Sequence, residues 1–149
     1  MQMEAVREAI ANAARAVVLP SGAGRLTCTG YTPDSITAPH FFVAEYTVTY
    51  DKAFGRACDE AELTCRVLVA RSDDQTAQRT LDKLLSGSGP ASLKAALVAA
   101  RGGPGEEALD GHADDVHLER VQSVRWYEHQ GTTYVGAELI VTVIGDGRD

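Results

Sequence analysis

The sequence predicts an α+β fold: one four-stranded antiparallel sheet with helices packed on one face. Three observations carry that reading. Residues 41–50 and 61–70 alternate apolar and polar side chains, the period of half-buried strands, and residues 116–127 and 132–144 read as two further strands. Residues 3–18 instead place Val6, Ala9, Ile10, Ala13 and Val17 at three- and four-residue spacing, the period of a helix. Between the two strand pairs lie two short amphipathic segments joined by Gly87-Ser88-Gly89-Pro90, a turn that neither a helix nor a strand can run through. The expected order is α–β–β–α–α–β–β in a single domain over residues 1–149, the last four forming a polar tail.

Taken in order, the first helix has Glu4 and Glu8 early and Arg15 late, which suits its dipole, and Pro20 with the following glycines ends it. Residues 25–31 are an expected short edge strand with Leu26 and Cys28 on one face. Residues 31–39 hold Pro33, Pro39 and the Asp34-Ser35 pair, which exclude a sheet interior and predict an ordered irregular loop. In the next strand Phe42, Ala44, Tyr46, Val48 and Tyr50 are expected on one face, opposite Glu45, Thr47 and Thr49. Leu63, Cys65, Val67 and Val69 form the matching face of its partner, opposite Glu62, Thr64 and Arg66. Their connection, residues 51–60, is long for a tight turn and carries Phe54 at its tip, so a projecting hairpin arm is expected.

Ser72 stands where an N-cap belongs, with Gln75 completing a capping box. Ala77, Leu81, Leu84 and Leu85 then make a buried stripe. Pro90 is expected in the first turn of the following helix, with Leu93, Ala96, Leu97 and Ala100 inward. Residues 106–115 are acidic and glycine-containing, and are expected to form a mobile loop. The last two strands meet near His129-Gln130-Gly131, with Val135, Ala137, Leu139, Val141 and Val143 sharing the inner face of the final one.

Composition bounds the function. The chain is 44% hydrophobic and 23% charged, enough for one real core. No run is long and apolar enough for a membrane span, and the start of the chain lacks the basic and apolar regions of a signal peptide, so no membrane partner is expected. Cys28, Cys58 and Cys65 have no ligand or redox spacing and read as reduced thiols. A net charge of −7 argues against a nucleic-acid-binding module, which needs Lys and Arg on phosphates. Such a charge suits a surface that DNA passes without adhering.

Chemical constellations are weak. Gly22-Ala23-Gly24 and Gly87-Ser88-Gly89 lack the Gly-Lys-Ser/Thr continuation of a phosphate loop. His112, Asp114, Asp115 and His117 are close in sequence, but they run from a loop into a strand, where only Asp115 and His117 share a face. Glu45 and Glu62 lie on neighbouring strands on the polar face, without the split environments that paired catalytic carboxylates need. The expectation is therefore no catalytic residue, no metal and no cofactor, and a protein that works through its surface. Trp126 and Tyr127, at a strand end, and Phe54, on the arm, are the candidate interface aromatics.

Three stretches together resemble one family. They are residues 31–39 leading into Phe41-Phe42-Val43, the hairpin Val48-Thr-Tyr-Asp-Lys-Ala-Phe-Gly-Arg56, and residues 81–97 followed by Val121-Gln-Ser-Val-Arg125 and residues 134–144. In that order and spacing the chain resembles the tail terminator (tail-tube completion) proteins of long-tailed phages, especially those of actinobacteria. The insertion-like loop at residues 102–110 departs from the pattern. The resemblance implies a virion protein at the neck end of the tail, assembled in the host cytoplasm as a homohexameric ring. That ring would cap the tail tube, stop further addition of tube protein and offer a surface to the head-side connector or stopper, with DNA passing through its lumen. Lys52, Phe54, Arg56, Trp126 and Tyr127 are then the candidate subunit-interface residues, and Glu106, Glu107, Asp114 and Asp115 the candidate lumen acids. Two other readings stay open at this stage: a connector or stopper of the neck, and a small-molecule-binding α+β oligomer.

Overall fold

The computed structural model describes residues 1–20, 24–50, 58–71, 75–102 and 106–146. The expected hairpin tip, with Lys52, Phe54 and Arg56, and the Ser72 cap lie outside the described residues. The class is α+β. Three helices, α1 (Met3–Ala14), α2 (Gln75–Leu84) and α3 (Leu93–Ala99), pack on one face of a sheet built from β1 (Thr27–Thr29), β2 (His40–Thr49), β3 (Cys58–Arg71), β4 (Asp115–His129) and β5 (Thr132–Asp146). Among the described residues no helix is long and apolar enough to cross a membrane.

The sheet has five strands in the order β1-β2-β3-β5-β4, and it is mixed. The expected four-stranded antiparallel core is present in β2, β3, β5 and β4, but the short edge strand adds a fifth member, parallel to β2. The loop at residues 31–39 is the reason. It crosses the face that carries no helices, sets Ile36 on Phe42, Leu68 and Tyr127, and accepts a hydrogen bond from His129 Nε2 at the Pro33 carbonyl (2.9 Å). Having crossed over, the chain re-enters the sheet beside β1 in the same direction.

Under the helices the core is continuous. Val6, Ile10 and Ala14 of α1, Leu81 and Leu84 of α2, and Leu93 and Leu97 of α3 meet Leu63, Cys65 and Val67 of β3 and the odd-numbered residues 135–143 of β5. Leu26 and Cys28 join this core as expected. Burial pushes the Cys65 thiol up to about 12, and burial, partly offset by Arg15, pushes Cys28 up to about 11. Neither forms appreciable thiolate at neutral pH.

Three local expectations need correction. A β-bulge between Val43 and Glu45 reverses the alternation of β2. Phe41 and Val43 therefore face the helices while Phe42 and Ala44 face away, and the expected side holds only beyond the bulge, for Tyr46 and Val48. The second central helix starts at Leu93, not at Pro90: Ser92 is its cap, its hydroxyl accepting from the Ala95 N–H (3.1 Å) and donating to the Ser86 carbonyl. The acidic loop is packed, not loose. A bridge joins Ala108 to Ala113, a 3-10 turn spans Leu109–Gly111, and all of Ala108, Leu109 and Ala113 are buried in the core.

Candidate functional site

The most exposed apolar surface on a regular element is the outer edge of β4. This strand and β5 form a hairpin of 15 residues on each side, closed by Gln130 and Gly131, both at positive φ (52° and 81°). A two-residue loop of that conformation matches the twist of the flanking strands. β4 pairs with β5 along its inner side, while no described strand pairs with its outer side. Two register shifts, between Leu118 and Arg120 and between Gln122 and Arg125, interrupt it, leaving Arg125 to His129 as its uninterrupted end. Ser123, at φ 53°, sits inside the second irregularity, where its carbonyl accepts from the Tyr127 hydroxyl.

That irregularity aims two apolar side chains outward. Val124 is 58% exposed and Trp126 63%. Together with Arg125 and Val135 they line a cleft of about 220 Å³ against Gln78, Leu81 and Asp82, from α2. Single exposed apolar residues are ordinary on a surface. A valine and a tryptophan two positions apart on an edge that no described strand pairs form the candidate anchor, with the tryptophan the residue type that interfaces favour.

Of the expected interface aromatics, Trp126 stands on this anchor. Tyr127 does not, which corrects the pairing of the two. It faces the helix-free side and is buried against Phe42 and Leu68. The Arg125 and Arg66 guanidinium groups lie 4.7 and 5.2 Å from its ring centre.

The expected lumen acids do not form one group. Glu106 and Glu107, with Asp110, rim a cleft lined by alanines of α1 and α3. Asp114 is exposed, and its N–H donates to the Ile144 carbonyl (2.8 Å). Asp115 accepts two hydrogen bonds from Arg101 (2.9 and 3.1 Å), which hold its carboxyl below the usual carboxylate range. Its neighbours in a second cleft are Glu60, His117, Glu119 and Thr142. Among the described residues no three His, Cys, Asp or Glu side chains are gathered as metal ligands.

One polar cluster had no sequence signal. His40 is buried, its Nδ1 accepting the Thr37 N–H (3.2 Å). Nε2 must then carry the proton, and it donates to Thr29 Oγ1 (3.1 Å), which donates in turn to the Tyr31 carbonyl (2.8 Å). Burial first, and the nearby His129 second, hold the His40 imidazole below its ordinary pKa. The two histidines flank Phe42 and pin both ends of the crossing loop. A histidine beside a proline is common enough that only the fold reveals the latch.

Compared with known proteins, the chain matches no family model and no curated sequence.

Proposed function

We propose that this protein is a structural component of a long-tailed phage virion that assembles into a six-membered ring and terminates the tail tube. The observation that carries the reading is the β4 edge, unpaired among the described residues, with exposed Val124 and Trp126 at its outer end. An unpaired edge is a template for pairing with another chain. A head-to-tail contact whose rotation closes produces a ring. The sequence resemblance to tail terminators supports the place of that ring, at the head-proximal end of the tube, between tube protein and the connector or stopper. The net charge of −7 supports a channel through which DNA slides, since like charge prevents phosphate adhesion.

The reading is tested by adding the purified chain to polymerising tail-tube protein and imaging the product. Rings seated on one end of shortened tubes are expected. Tubes of unchanged length with no bound ring would overturn the terminator assignment, and binding to the portal-side connector alone would reassign the protein to the neck.

A further inference from the structure

The loop at residues 31–39 is fastened by bonds of two kinds, and they respond differently to a proton. At its start the Tyr31 carbonyl accepts from the Thr29 hydroxyl (2.8 Å) and the Pro33 carbonyl accepts from His129 Nε2 (2.9 Å). A histidine that donates there as a neutral ring can donate equally as an imidazolium. At its end the Pro39 carbonyl accepts from the Thr27 N–H (2.9 Å), beside the Thr27–His40 pair that opens β1. Between these anchors, residues 34–38 are tied down by the Thr37 N–H, which donates to His40 Nδ1 (3.2 Å), and by Ile36, which packs on Phe42, Leu68 and Tyr127. Nδ1 accepts only while it carries no proton, and Nε2 already donates its own to Thr29 Oγ1 (3.1 Å).

We propose that residues 34–38 form a proton-operated strap, shut over the helix-free face while His40 is neutral and lifted from it when Nδ1 takes up a proton. This goes beyond the ring reading and does not depend on it. A proton on Nδ1 points at the Thr37 N–H, so two donors face each other and the bond that holds the strap is lost. His40 is 2% exposed, so water cannot solvate the imidazolium while the strap is shut. The surrounding groups favour the neutral ring. From β4, His129 stands on the other side of Phe42, and its charge opposes a second positive charge. Arg66 of β3 and Arg125 of β4 add positive charge at the Tyr127 ring, and Glu138 of β5 is paired with Arg66 (3.0 Å). β1 contributes the neutral Thr29 and β2 the Phe42 ring. Asp34 is the charged residue of the strap itself, at the end held through Pro33. Lifting the strap gives the imidazolium water and uncovers Phe42 and Leu68, while the bonds at Tyr31, Pro33 and Pro39 stay made. The opening is therefore local, hinged at the two prolines.

The test is amide hydrogen exchange read by NMR from about pH 7.5 to about pH 5, each rate corrected for the intrinsic pH dependence of exchange. An opening that takes up one proton raises corrected exchange at the Thr37 amide about tenfold per pH unit below about 6.5, the ordinary histidine value. Urea too dilute to unfold the chain should leave that rate unchanged, because a local opening exposes little surface, while β5 amides that exchange by global unfolding speed up. Nuclear Overhauser contacts between Ile36 and Phe42 are expected to fade at low pH while those between His129 and Pro33 persist. His40→Asn keeps an oxygen that can accept from Thr37 but does not titrate, so its corrected Thr37 exchange should be flat with pH. His129→Leu removes the donor at Pro33 and should extend the low-pH loss of contacts back to that residue. Corrected Thr37 exchange that is flat in the wild type, or an equal pH slope in folded His40→Asn, overturns the strap. Thr37 exchange that follows the β5 amides in urea overturns it as well, since the loop would then leave only with the whole fold, and this comparison needs no variant. Loss of the His129–Pro33 contacts together with those of Ile36 in the wild type overturns the hinge.

Discussion

Residues of β5 alternate between two environments. Those facing the helices, Val135, Ala137, Leu139, Val141 and Val143, are aliphatic without exception and lie in one continuous core. Their neighbours on the other face are Gly136, Glu138, Ile140, Thr142 and Ile144. There the packing is local: a patch of Phe42, Leu68 and Tyr127 under the crossing loop, and an ion pair between Arg66 and Glu138 (3.0 Å). One face holds the subunit together by apolar burial, and the other holds a loop and two strand edges by a few directional bonds. The difference teaches where the stability of the fold is stored.

Three changes break or sharpen that contrast. The largest effect is expected on the covered face: Leu139→Ala removes a fully buried side chain and costs about 2–5 kcal/mol, read from the urea midpoint. A cost below about 1 kcal/mol would mean that the core around it is loosely packed. On the open face the expected effect depends on pH. Because the folded chain holds His40 below its ordinary value of 6.5, the unfolded chain binds the proton more readily. Stability is therefore full above about that value and is lost as pH falls below it, towards the folded pKa. His40→Asn should lower stability at neutral pH but flatten the decline between pH 7 and pH 5; an equal decline in both proteins would remove His40 as its source. The smallest effect is expected at the β4 edge. Trp126→Ser should change unfolding stability by no more than about 0.5 kcal/mol while changing self-association, because an exposed side chain contributes little to the fold that displays it.

Legibility followed the regularity of each element. The inner faces of β3 and β5 and the stripe of α1 were readable because a single period runs through each of them. β2 was not, since one extra residue near Val43 exchanges its two faces and Ala44 carries no mark of a bulge. The loop at residues 106–115 misled for a related reason: its acids advertise solvent, while Ala108, Leu109 and Ala113 between them fill a gap in the core. For the candidate site, Trp126 was found from its place at a strand end. Tyr127, one residue on, points to the opposite face, a consequence of strand geometry that depends on where the register shift falls.

By itself the sequence determined the class, the helix and strand periods and the aliphatic face of the sheet, because each of these follows from local spacing and side-chain polarity. Only the tertiary structure decided that β1 is parallel, that the proline loop is latched by His40 and His129, and that β4 stands at one end of the sheet with no described strand beyond it. Those features depend on which distant residues become neighbours, and neighbourhood across a sheet is set by register and crossing, not by order along the chain.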